Sequence, residues 1–370
     1  MPQSSALSLL VEAGRAPLGQ WPARYPGRQA VGYLCSYVPE EMIHAAGFSP
    51  VRLRGSAAPL RQADAHLQSF TCALCRSTLD QLLDGELSFL AGTIFAHTCD
   101  ALQAQADLWR MNAGRAGDAH FVEVVMQPSN LGAPAARPYL LAELERFGQQ
   151  LGPRRPSMAA LRASIALYDE TRRLVQALQE VRDRLSAADY FAVVDAVQIM
   201  PREEANPLLA RLLEELGAAP GPGAGHRGPG LFLAGAVLDE PRLPALVDDL
   251  GARVAGDDLC SGSRHFFGQV GSGADPLAAL SDYYLQRPPC PAKYLPGHDP
   301  GRHLVEQARA ADCDGVVFVV EKFCEPYAFD YALALPALEA AGLPHLLLEM
   351  EQTPSIEALR TRLQAFVEML

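Results

Sequence analysis

The sequence contains no run of lysine or arginine, and its 43 acidic residues outnumber its 31 basic ones to give a formal net charge of −12. Nucleic acid and anionic membranes are recognised through a basic footprint, so neither is an expected partner. No uninterrupted apolar stretch approaches the roughly 20 residues that a membrane-spanning helix needs. The N-terminus also lacks a basic segment leading into an apolar one, and the expected location is cytoplasmic.

Common catalytic signatures are missing as well. There is no Walker A loop, no Gly-x-Ser-x-Gly elbow and no His-Glu-x-x-His. Gly271-Ser-Gly-Ala lacks the third glycine of a dinucleotide fingerprint and does not directly follow a strand, so it reads as a loop. The nine histidines are scattered. His97 and His265 lie near cysteines, where a lone histidine is more often a hydrogen-bonded neighbour or proton donor than a ligand.

What the chain does have is cysteine, at recurring places in an α/β pattern. Its 370 residues, 49% of them hydrophobic, suffice for two or three packed domains. Thr93-Ile-Phe-Ala-His-Thr-Cys99 reads as a buried strand of a parallel sheet running into a polar turn. Gly315-Val-Val-Phe-Val-Val320 repeats the device and delivers Cys324, Val31-Gly-Tyr-Leu-Cys35 repeats it again, and Ala252-Arg-Val-Ala255 leads to Cys260. Open α/β sheets bind ligands beyond the carboxyl ends of their strands, so these thiols stand where a site is expected.

Taken in order, residues 1–28 read as an N-terminal arm with a short helix, and 29–136 as a first α/β lobe. Pro39 to Ala46 is a helix that Ser36 or Tyr37 is placed to cap. Thr71-Cys72-Ala-Leu-Cys75-Arg76 opens another helix. Residues 137–220 keep helical periods throughout, 221–230 is a Gly/Pro linker, and 231–370 forms a second α/β lobe. The fold class is α/β, with two Rossmann-like lobes of parallel sheet joined by a helical segment.

In a reducing compartment disulfides are rare, which leaves metal binding, redox chemistry or burial for the eight cysteines. Cys72 and Cys75 form a Cys-x-x-Cys pair, but no appropriate first strand precedes it as in a thioredoxin-like motif, and no second pair completes a zinc site. Cys313 and Cys75 read as small buried hydrophobes. Cys72, Cys99 and Cys324 are placed to converge on one cleft, and soft thiolates so placed suit an iron–sulfur cluster.

Five segments carry a family resemblance: Gly32-Tyr-Leu-Cys35-Ser-Tyr-Val-Pro-Glu-Glu-Met-Ile-His-Ala-Ala-Gly47, Gly85-Glu-Leu-Ser-Phe-Leu with His97-Thr-Cys99-Asp100, Asp257-Asp-Leu-Cys260-Ser-Gly-Ser-Arg264, Lys322-Phe-Cys324-Glu-Pro326, and Arg360-Thr-Arg362 to Leu370. In this order they resemble the 2-hydroxyacyl-CoA dehydratase and benzoyl-CoA reductase family from about Gly32 to the C-terminus. The chain departs from the family pattern just before Arg360, where Ile356-Glu-Ala-Leu stands in place of a Gly-Gln.

The resemblance implies a [4Fe-4S] cluster held by Cys72, Cys99 and Cys324, with one iron open to an acyl-CoA. It also implies an ATP-dependent iron–sulfur activator that injects one electron, and chemistry through a ketyl radical. Ser36, Glu40, Glu41 and Arg76 are, by neighbourhood, the candidates for substrate contacts and proton handling. Cys35, Cys260 and Cys290 also match family cysteines, and one branch carries six cysteines that hold a double-cubane cluster. Three functions follow: a subunit acting on a CoA thioester beside a homologous second subunit, a homodimeric double-cubane reductase of small molecules, or a non-catalytic electron-transfer or scaffold subunit.

Overall fold

The computed structural model describes residues 5–113, 120–151, 154–218, 228–351 and 355–370. Two four-stranded sheets, each parallel throughout, form its frame. The first comprises β1 (Ala30–Tyr33), β2 (Ser49–Arg52), β3 (Leu90–His97) and β4 (Phe121–Met126), in the order β2-β1-β3-β4. The second comprises β5 (Gly230–Gly235), β6 (Arg253–Leu259), β7 (Gly315–Glu321) and β8 (His345–Met350), in the order β6-β5-β7-β8. Each sheet starts in its interior, adds one strand outward, then crosses back to the other side of its first strand. That reversal makes a topological switch point between β1 and β3, and a second between β5 and β7.

Fourteen helices are described: α1 (Ala6–Arg15), α2 (Trp21–Arg24), α3 (Glu40–Ala45), α4 (Ala73–Leu83), α5 (Asp100–Ala113), α6 (Ala136–Gln150), α7 (Met158–Glu180), α8 (Ala187–Ile199), α9 (Arg202–Ala218), α10 (Arg242–Asp249), α11 (Pro276–Gln286), α12 (Pro300–Ala310), α13 (Glu325–Ala341) and α14 (Ile356–Val367). None of them is long and apolar enough to cross a membrane. The helical segment expected from the sequence is α6 to α9, and α8 is apolar on nearly every face because it is enclosed by α1, α9, α10 and β2. The first residues are more than a surface arm. Ala6 and Leu10 of α1 are fully buried, and Trp21 donates through Nε1 to the Ile199 carbonyl at 2.8 Å. A Cβ on Gly14 would sit 1.9 Å from the Ala192 carbonyl oxygen, so only glycine allows α1 to lie this close to α8.

Two elements differ from the sequence reading. β6 continues past Ala255 to Leu259, taking Asp257 and Asp258 into the interior. The loop that follows meets both in part: the Ser263 N–H donates to Asp257 Oδ1 at 2.7 Å, leaving Oδ2 with no hydrogen bond among the described residues, and Arg264 grips Asp258 at 2.6 and 2.7 Å. α13 has no counterpart in the sequence reading. It is capped at its start by the turn through Cys324, with Pro326 in its first turn, and at its end by Gly342 at φ 66°. Its apolar residues go all round the helix, so no amphipathic stripe marks it. Most of the expected linker, residues 221–227, lies outside the described residues.

Candidate functional site

The carboxyl ends of the two sheets face a common cavity of about 110 Å³. A single water needs roughly 10–15 Å³ by the same measure, so the space admits a group well above one ion or one water. Seven of the eight cysteines line it: Cys35, Cys72, Cys75, Cys99, Cys260, Cys290 and Cys324. The eighth, Cys313, packs in the turn between α12 and β7, among the apolar residues of the second sheet.

Local structure explains each placement. Cys35 lies two residues beyond β1 and Cys99 two beyond β3, so they flank the first switch point. Cys260 directly follows β6, and its N–H donates to the Ala236 carbonyl at 2.7 Å. Cys324 is the N-terminal cap residue of α13, in a tight turn where its own N–H donates to the Glu321 carbonyl at 2.8 Å. That turn forces Phe323 to φ 70°, a value bulky residues rarely adopt. Cys72 caps the start of α4 with extended dihedrals, and Cys75 sits in the first turn. Cys290 is held in the Pro-rich strap after α11, its N–H 3.3 Å from the Tyr37 hydroxyl.

Electrostatically the thiols are coupled to one another across the whole cavity. Burial first, then the neighbouring Cys72 and Cys35, push Cys99 up to about 12. Cys324 is pushed up by burial and then by Cys72, Cys99 and Cys260. Burial and then Cys260 and Cys35 raise Cys290. Cys260 is raised by burial, with its sulfur 2.9 Å from the Tyr327 hydroxyl. Thiols that disfavour one another's ionisation are the donor set that a bound cation relieves, since the thiolate is the metal ligand. Among the described residues no three His, Cys, Asp or Glu side chains close around one point as a single ion would require. A mononuclear site needs sulfurs about 2.3 Å from the metal. Thiols spread round a cavity suit a polynuclear group, and in that sense the residues fit an iron–sulfur cluster.

The candidates from the sequence divide. Ser36 lines the cavity, with its Oγ donating to the Cys260 carbonyl at 2.7 Å. It does not cap α3, whose cap residue is Pro39, because that hydroxyl is committed to the second lobe. Tyr37 does not cap α3 either. Glu40 and Glu41 are buried ion-pair partners away from the cavity: Glu40 meets Arg202 at 2.7 Å, His265 at 2.8 Å and the Tyr33 hydroxyl at 2.9 Å, and Glu41 meets Arg172. These pairs fasten α3 to α7 and α9, and Arg202 helps to hold the Glu40 carboxyl below the usual carboxylate range. Arg76 also points elsewhere, to Asp64 at 2.6 Å. Its place one residue after Cys75 put it near the site in sequence, but the helical turn carries the side chain away.

Other residues enter that sequence reasoning passed over. Arg52, Arg264, Arg287 and Glu321 line the cavity. Arg52 is a charge inside a strand whose four residues are all buried, which was the available signal. Glu321 is only 5% exposed and, among the described residues, has no hydrogen bond to its carboxyl; burial and then Asp239 and Cys72 push it up to about 9.

Residues 35–370 match the family model described as 2-hydroxyglutaryl-CoA dehydratase, D-component. The chain belongs to that family. Its relatives include the lactoyl-CoA dehydratase subunit beta of Anaerotignum propionicum, 30% identical over 93% of this chain and 92% of that one. The (R)-phenyllactyl-CoA dehydratase beta subunit of Clostridium sporogenes is 27% identical over 93% and 92%. One of the subunits of the benzoyl-CoA reductase of Thauera aromatica is 28% identical over 95% and 93%. The family match begins at Cys35, the first thiol of the cavity, and takes in all seven that line it.

Proposed function

We propose that the chain is the iron–sulfur subunit of a 2-hydroxyacyl-CoA dehydratase or an aryl-CoA reductase, with a [4Fe-4S] cluster held by Cys72, Cys99 and Cys324. The observation that carries this reading is the convergence of these three thiols, from α4, β3 and β7, on one cavity between two sheets. Such a cluster, when bound, supplies single electrons at low potential. The protein's part is to hold three thiolates in place, keep the cavity apolar and exclude water. Ser36 and Arg52 tie the first lobe to the second beside it. The substrate class is an acyl-CoA thioester. The partners are a homologous second subunit, in keeping with the beta-subunit names of the relatives, and an ATP-dependent iron–sulfur activator. The compartment is a reducing cytoplasm.

A second reading is favoured by Cys35, Cys260 and Cys290, which line the same cavity as the first three. In it the chain holds a double-cubane cluster on six cysteines, acts as a homodimer and reduces small molecules. Anaerobic purification with iron and sulfide analysis tests both. About four irons per chain meets the first reading and about eight the second, as one or two cubanes require. A folded wild type that stays colourless after reconstitution defeats both. Spectral perturbation on adding an acyl-CoA to protein paired with its companion subunit separates a thioester enzyme from a small-molecule reductase.

A further inference from the structure

Two guanidinium groups at the cavity have no anionic partner among the described residues. Arg287 is 4% exposed and donates only to main-chain carbonyls, those of Ser36 at 2.6 Å and Arg264 at 2.5 Å. The rings of Tyr37, Tyr283 and Tyr284 lie 5.5, 5.5 and 5.6 Å from its central carbon. Arg52 is 3% exposed and donates to Ser36 Oγ at 3.2 Å, the Gln198 side chain at 3.0 Å and the Cys260 carbonyl at 3.0 Å, with His265 Nδ1 at 3.4 Å. No carboxylate of the described residues forms an ion pair with either, whereas Arg264 beside them is matched by Asp258. Buried charges are ordinarily paired or placed against a metal group, because an isolated one is costly to desolvate. Aromatic faces and peptide dipoles offset part of that cost. Both arginines bond to the backbone next to, or of, a thiol in the Cys35, Cys260 and Cys290 group: Ser36 follows Cys35, and Arg52 holds Cys260 itself.

We propose that Arg52 and Arg287 are built-in counter-charges for an anionic, thiolate-ligated iron–sulfur group at the Cys35, Cys260 and Cys290 end of the cavity, and that they raise its reduction potential. The inference rests on the second of the two readings above. A fixed positive charge in a low-dielectric site stabilises the form with the added electron, so its loss moves the potential down.

The test uses anaerobically purified holoprotein. Iron content is measured for wild type and for the triple Cys35, Cys260 and Cys290 to Ser variant, and potentials by EPR-monitored titration for Arg287→Gln, Arg287→Lys and Arg52→Gln. Each Gln variant should keep its iron and shift one midpoint negative by about tenfold in the reduction equilibrium, about 59 mV for one electron, and Arg287→Lys should restore it. Should Arg287→Gln shed that iron, retention by Arg287→Lys at the wild-type potential still supports a charge role, and loss from both overturns it. Unmoved midpoints in iron-replete Gln variants also overturn it. About four irons per wild-type chain, unchanged by the triple replacement, overturns it by a different route, because the second-cluster reading has then failed itself.

Discussion

At one end of the cavity Cys35, Cys260 and Cys290 lie among Arg52, Arg264 and Arg287, while at the other Cys72 lies beside Asp239 and Glu321. Both ends were built by the same means. Each sheet repeats one strand order, and all the cavity thiols but Cys290 leave the carboxyl ends of strands or open a helix. The settings differ because the charges come from different neighbours. Arg52 and Arg287 reach in from β2 and from the strap after α11, whereas Glu321 ends β7 and Asp239 lies in the loop after β5. Repeating a topology repeats the positions of thiols; it does not repeat their electrostatics.

The largest effect that could break this comparison is loss of one end altogether. Cys72→Ala, Cys99→Ala and Cys324→Ala should each abolish the Cys72-end cluster and the activity, read by iron analysis and EPR. Retention of full iron by any of the three would remove that cysteine from the ligand set. The triple Cys35, Cys260 and Cys290 to Ser variant should halve the iron on the second reading, with an unchanged far-ultraviolet dichroism showing that the lobes still fold.

A smaller effect sharpens the contrast in charge. In metal-free protein Glu321 has its folded-state value raised from 4.5 to about 9. Between those two values the unfolded chain has released a proton that the folded chain retains, so stability falls as pH rises through this window. Thermal melts of Glu321→Gln should lose that part of the slope and lie above wild type at pH 8. Parallel pH profiles for the two proteins would show that the carboxyl is not held protonated. The smallest effect is expected off the cavity: Arg76→Ala and Cys313→Ala should keep the wild-type iron content, the first costing about 0–1 kcal/mol as an exposed-side ion pair does. A loss of iron in either would extend the site beyond the cavity described.

Sequence by itself determined the alternation of strands and helices, the helical segment between the lobes and the strand-exit position of most of the cysteines. Those features are local: periodicity, turn residues and the place of a thiol just after an apolar run are all read within about ten residues. It did not reveal α13, whose apolar residues carry no stripe, nor the continuation of β6 through two aspartates that bond to a later loop. It also could not tell Ser36, which faces the thiols, from Glu40 and Glu41, which are spent on Arg202 and Arg172 more than 130 residues away in the chain. Only the tertiary structure decided which charges meet which cysteines. Coulomb energy and desolvation depend on distance through space and on burial, and neither is encoded in the spacing of residues along the chain.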